Sequence, residues 1–315
     1  MKNFLWLLLL AALWGPSFLF IKVAVEDIPP LTLVVGRVGI AAVLLYLLLR
    51  FQGRTLPKFG PTWKHFAIMA FFQNAFPFAL FNWGELHIDS ALAAILNGTT
   101  PLFTIILAHF FVADDRITGS KVVGILLGFG GLMMLIAPSL VGGVQATTWG
   151  LLAIALASAS YGIAIVYSRL NLRGQPPLVA PTAQLGLAAL YMLPLSLLIE
   201  QPYRLPAPAL SSLGALLALA VFGTAVAFVV FYHIINRVSA TYTSMVTYLV
   251  PIVGVFLGIV VLSEQLHWSA YAGCALILIG VMIVNGLFDK PFKRLRRRPA
   301  GPGAKPIQGF LPSQK

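Results

Sequence analysis

Apolar residues fill this chain in long, nearly unbroken blocks. They show neither the polar face of a surface helix nor the alternation of a half-buried strand. Ten blocks are each about 20 residues long, enough to cross roughly 30 Å of hydrocarbon as helices. They fall near residues 4–25, 31–50, 64–83, 90–113, 120–137, 148–168, 178–199, 209–232, 240–262 and 268–287. Backbone groups in lipid must find partners within their own segment, so each block reads as a helix. The pattern predicts an all-α polytopic membrane protein of ten transmembrane helices, with connections too short to hold a soluble domain.

Composition sharpens this. The chain is 59% hydrophobic and 10% charged, against about 25% charged for a soluble protein. A net charge of +12 would suggest nucleic acid in a soluble chain, but here the basic residues gather between the blocks. With the N-terminus on the cytoplasmic side, eighteen of the 21 Lys and Arg residues fall on that side, as the positive-inside rule requires. The expectation is a plasma (bacterial inner) membrane protein with both termini cytoplasmic. Residues 290–315 are basic and rich in proline and glycine, which predicts a disordered tail against the membrane surface. Trp14-Gly15-Pro16 makes a poor cleavage site, so the first block reads as a retained span rather than a signal peptide.

The blocks repeat. An offset of 150 superposes Pro101 on Pro251, Phe78 on Phe228, and Asp114 on Glu264; nearer the start of each half an offset of 147 brings Gly15 onto Gly162 and Arg37 onto Gln184. Residues 4–137 and 148–287 then form two repeats of five spans. An odd number of spans per repeat gives the halves opposite orientation in the membrane. This is the inverted-repeat plan of secondary transporters, with a binding site near mid-membrane where the repeats meet. Asn97-Gly98-Thr99-Thr100-Pro101 and Thr247-Tyr248-Leu249-Val250-Pro251 are matched helix breaks on this reading. Proline displaces the carbonyl four residues earlier, so the carbonyls of Asn97 and Thr247 should lose their helical partners. Either the breaks serve the site, with Pro101 and Pro251 as hinges, or they are plain kinks relieved by nearby hydroxyls.

Polar groups at mid-depth should face protein or water rather than lipid. Asn74, Asn97, Thr100, Ser158, Tyr161, Thr224, Thr247 and Tyr248 are such groups, and interhelical hydrogen bonding is the competing use for each. Trp14 lies about ten residues into its span, too deep for an interfacial anchor. Together with Phe18, Phe78, Tyr161, Phe228 and Tyr248 it would line an apolar pocket with few polar groups, suited to a small amphiphile. Arg37 lies well inside the second span. Its readings stay open: a seat for a substrate carboxylate, a side chain that snorkels outward, or a structural ion pair with Glu26, Asp27 or another outer-side carboxylate. Lys22, nearer its span's end, reads as a snorkelling lysine. The nine acidic residues all fall near span ends or in loops, so no mid-membrane proton relay is expected.

These features resemble the drug/metabolite transporter superfamily in its EamA-type branch. The residues carrying the resemblance are Trp14-Gly15, Pro30 with Arg37, Ala91 through Pro101, and the acidic residues Asp114 and Glu264. The glycines Gly124, Gly128, Gly130 and Gly131 add to it. It covers residues 4–287. What the resemblance implies is a ten-helix basket around a central cavity, with spans five and ten at the periphery. It also implies export of small metabolites, as by the bacterial aromatic amino-acid exporters. The family's glutamate-arginine pair is Asp115-Arg116 after the fourth span and Glu264-Gln265 after the ninth, where the arginine is missing.

No catalytic constellation appears. The histidines lack the spacing of a helical zinc pair, no metal or cofactor site is expected, and the lone Cys274 rules out an internal disulfide. Gly124/Gly128 and Gly254/Gly258 are spaced for close helix contact. The expectation is a monomer or weak homodimer that exports amino acids, aromatic or large neutral, by alternating access. A drug or other metabolite exporter of the same fold, or a passive channel, is the alternative.

Overall fold

The computed structural model describes residues 2–112, 116–140, 144–172, 174–176, 178–235 and 246–286. The tail at 290–315, the Asp114-Asp115 pair and the expected start of the ninth span at 240–245 lie outside the described residues.

Every apolar block that is described is helical. The first is α1 (Lys2–Trp14) and α2 (Ser17–Ala24), parted at Gly15-Pro16. Then come α3 (Pro30–Phe51), α4 (Thr62–Met69) and α5 (Phe76–Gly84), the last two joined by a π-helical turn at Ala70–Ala75. α6 (Ser90–Asn97), α7 (Thr100–Phe111) and α8 (Gly119–Leu140) complete the first half. The second half has α9 (Ala146–Asn171) and α10 (Val179–Leu195), which runs into a π-helical turn at Ser196–Glu200. It continues with α11 (Leu210–Ala220) and α12 (Ala227–Ile235), joined by a third π-helical turn at Val221–Val226. α13 (Val246–Leu262) and α14 (Trp268–Val284) end it. Among the described residues, 7 helical runs can cross a membrane by length and composition, and α13 and α14 are shorter apolar helices.

Helices α8 and α14 approach closest. A Cβ on Gly131 would sit 2.6 Å from the Gly273 carbonyl, and one on Gly280 would sit 2.5 Å from the Gly124 carbonyl. Only glycine permits that approach, and the small-residue stripe gains close van der Waals packing in return. Of the other spaced glycines, Gly128 adjoins Leu102, Gly254 adjoins Ala94, and Gly258 adjoins Ala91 and Glu264. Elsewhere α3 packs on α10, α5 and α7 on α9, α6 and α1 on α13, and α2 on α11.

The two proline stretches differ, which corrects the expectation of matched breaks. At the first, Gly98 and Thr99 donate to Ile95 and Leu96 at 3.0 Å each, and Leu102 donates to Thr99 at 2.9 Å. These i→i+3 bonds are a tightened, 3₁₀-like turn that separates α6 from α7. The Asn97 carbonyl is not orphaned, because Thr100 Oγ1 donates to it at 2.9 Å. At the second, α13 runs unbroken through Pro251. The stretches nonetheless meet: a Cβ on Gly98 would lie 3.2 Å from Pro251 Cγ.

Candidate binding cavity

A cavity of about 200 Å³ lies among α1, α2, α3, α5, α6, α7, α9, α12, α13 and the π-helical turns at Ala70–Ala75 and Val221–Val226. Its apolar wall is aromatic, made by Trp14, Phe18, Phe78, Phe81, Tyr161 and Phe228. Phe81 links two of these rings, with centroids 5.8 Å from Phe18 and 5.9 Å from Tyr161. Trp14 packs against Phe231 at 5.6 Å. Its polar groups are few: Arg37, Gln73, Asn97, Thr100, Thr224 and Thr247, with Ser17 at one edge.

Among the described residues Arg37 is the only charged one in the lining. Its Nε donates to Thr224 Oγ1 at 3.0 Å, and its Cζ lies 3.7 Å above the Phe78 ring centroid. Thr224 Oγ1 in turn donates to the Leu219 carbonyl at 3.0 Å. Among the described residues no carboxylate forms an ion pair with Arg37. Asp27 is used elsewhere, accepting from Ala209 N at 3.2 Å and Ser212 Oγ at 2.7 Å. A planar cation stacked on one aromatic face and fixed at Nε presents its remaining N–H edge as a fork suited to a carboxylate.

The structure brings together Trp14, Phe18, Phe78, Asn97, Thr100, Tyr161, Phe228, Thr247 and Arg37 around this cavity. Asn74 and Tyr248 are not there. Asn74 is buried off the cavity with neither amide atom partnered, and Gln73 takes its place in the lining. The π-helical turn at Ala70–Ala75 inserts an extra residue and rotates the register. Tyr248 ties α13 to α14: its hydroxyl donates to the Val281 carbonyl at 3.3 Å and accepts from Asn285 Nδ2 at 2.6 Å. Pro101 and Pro251 stand behind the wall rather than in it.

On one face of the helix assembly, carboxylates cap helix N-termini from elsewhere in the chain. Glu264 accepts from Ser90 N at 2.7 Å and Ala91 N at 2.9 Å. Glu200 accepts from Leu31 N at 2.8 Å and Thr32 N at 2.7 Å. Asp27 caps α11 in the contacts given above. Each satisfies orphan N–H groups and opposes the positive end of a helix dipole. Lys22 does not snorkel away. Its Nζ donates to the carbonyls of Glu85 at 2.7 Å and Ile88 at 2.8 Å, lashing α2 to the connection before α6. The capping acids carried no signal in the sequence beyond their place at span ends.

The EamA-like transporter family matches residues 1–137 and, a second time, residues 148–286. The chain belongs to this family. It is a membrane transporter of small molecules, not an enzyme. It is 26% identical over 291 residues to the "Uncharacterized transporter YoaV" of Bacillus subtilis, covering 92% of this chain and 98% of that one. It is 29% identical over 275 residues to the "Uncharacterized inner membrane transporter YedA" of Escherichia coli K12, covering 87% of each. A "Probable terminal-alkyne amino-acid exporter" of Streptantibioticus cattleyicolor is 24% identical over 288 residues, covering 89% of this chain and 92% of that one. A solved crystal structure shares the fold with a TM-score of 0.64 at 20% identity, covering 94% of this chain and 99% of the other.

Proposed function

We propose that this transporter exports amino acids with aromatic or large neutral side chains, by alternating access. The observation that carries the reading is Arg37, a cation without an internal carboxylate partner, presented to an aromatic cavity. Its fork suits the carboxylate of an amino acid. The surrounding rings suit an apolar side chain, and Asn97, Thr100 and Thr247 offer acceptors for the ammonium group. Size favours the same class. An apolar cavity of roughly 150 Å³ already takes a benzene ring, whereas drug-sized ligands fill about 300–1,000 Å³. A larger drug or metabolite is the alternative. The relative named as an amino-acid exporter agrees with the first reading.

Alternating access follows from two inverted five-span repeats, residues 4–137 and 148–287. Several contacts support them. The π-helical turns at Ala70–Ala75 and Val221–Val226 fall at matching places. Gly15 packs on Val253 just as Gly162 packs on Phe103, residue for residue along the repeat. The packing of α1 on α12 answers that of α5 on α9. With both termini cytoplasmic, the carboxylate-capped face is the outer one and is closed, so the cavity loads from inside. Pro101 and Pro251 bend as hinges. Among the described residues no acid lines the cavity, so the substrate's own gradient drives export without a mid-membrane proton relay.

Counterflow in proteoliposomes tests this. Labelled phenylalanine or leucine should enter vesicles preloaded with the unlabelled amino acid, saturably and with competition among large neutral amino acids. Flux that fails to saturate would indicate a channel. Competition only from non-carboxylate drugs would sink the amino-acid reading.

A further inference from the structure

At the carboxylate-capped face one carboxylate does not behave like the others. Asp27, Glu200 and Glu264 each accept from the start of a helix, but Glu85 accepts from nothing. It follows α5 at the start of the connection to α6, beyond the end of the spanning segment. It is 0% exposed, and among the described residues neither carboxylate oxygen has a hydrogen-bond partner. Ser90 Oγ, at the other end of the same connection, is also buried without a partner.

The charged groups around Glu85 do not neutralise it. Lys22 on α2 is committed to the backbone carbonyls of Glu85 and Ile88. Arg37 on α3 is engaged with Thr224 and Phe78. Glu264, after α13, adds like charge, and Asp89 shares the connection. On α9, Tyr161 stacks on Phe81, one turn before Glu85. An ionised carboxylate held dry and without hydrogen bonds costs several kcal/mol, and such a group neutralises instead. Burial pushes the Glu85 carboxyl well above the usual carboxylate range, against the pull of Lys22. Burial raises Asp89 as well.

We propose that Glu85 is a proton-binding site coupled to this face: closing it transfers one proton from the adjacent water to the carboxylate, and opening returns it to the same side. The proposal rests on the alternating-access reading and adds regulation to it. Once water reaches Glu85 in the open state, its pKa returns toward the ordinary value of about 4.3, and it ionises near neutral pH. The closed state therefore holds the extra proton, and its advantage is lost as pH rises between the open-state and closed-state values. Across that window each pH unit favours opening by about tenfold. The proton need not cross the membrane, so this is a pH-sensed gate rather than a relay.

Two measurements on the full chain in lipid test the proposal. Infrared spectroscopy at neutral pH should show a neutral-carboxyl C=O band that Glu85→Gln removes. Separately, Ile21→Cys in a Cys274→Ala background places a thiol on the cavity wall. A membrane-impermeant maleimide applied to sealed vesicles from the capped face should label it faster as pH rises, by up to tenfold per unit. Labelling should be slow and flat with pH in Glu85→Gln. Glu85→Asp should retain a slope with a shifted midpoint, which guards against a merely misfolded glutamine variant. Absence of the band, or an unchanged pH slope in Glu85→Gln, overturns the proposal. A protein that gives both signals yet moves no amino acid supports the proton site and sinks the substrate reading alone.

Discussion

Arg37 Nε donates to Thr224 Oγ1 at 3.0 Å across the two halves of the chain. The bond fixes the guanidinium over Phe78. Arg37→Lys keeps the charge but loses the fork and the stacking, and a charge-assisted hydrogen bond contributes about 1.5–3 kcal/mol. Counterflow competition should then show amino-acid affinity down by roughly tenfold to a hundredfold, with solutes lacking a carboxylate unaffected. Thr224→Val should weaken the same affinity less, because it frees the guanidinium without removing it.

Gly15 leaves no room for a side chain, since a Cβ there would overlap the Val253 side chain. Gly15→Ala should lower thermal stability in detergent by about 1–3 kcal/mol, the usual cost of overpacking. Val253→Ala should restore little of it, because the Val253 Cβ that remains would lie 2.5 Å from the added Cβ and the Ala11 carbonyl 2.9 Å. At Gly162 the obstruction includes backbone, with Thr104 N 3.0 Å from a built Cβ, so no single truncation should rescue Gly162→Ala.

Tyr248 bridges α13 and α14 and stands outside the cavity. Tyr248→Phe should cost about 1 kcal/mol of stability and leave the competition profile unchanged. A changed substrate preference would return Tyr248 to the site.

Pro101→Ala and Pro251→Ala should slow counterflow while leaving unfolding temperature and substrate affinity near wild type. The larger effect is expected at Pro101, where the helix is interrupted between α6 and α7; at Pro251 it runs through. Unchanged rates in both variants would remove the hinge idea.

Much of the architecture was legible because a bilayer leaves the chain few options, and long apolar blocks become helices. The cavity's aromatic wall was legible too, since Trp14 and Tyr161 lie too deep for interfacial anchors. Other features depend on register or on distant partners. Asn74 and Gln73 are adjacent, and only the π-helical turn decides which one faces the cavity. Pro101 and Pro251 look alike in sequence, yet only the first follows a Gly98-Thr99 turn that parts two helices. Glu85 and Glu264 both read as loop acids at span ends. Tertiary packing makes one a cap and leaves the other buried and unpartnered, and neither fate shows in local composition.

The carboxylate caps have an electrical consequence for the open state. Withdrawing Glu264, Glu200 and Asp27 would uncover the starts of α6, α3 and α11, each with unpaired N–H groups pointing outward. The rim of the mouth would then gain positive polarity as it widens, so a departing carboxylate would leave the grip of Arg37 for a second, weaker attraction on its way to water.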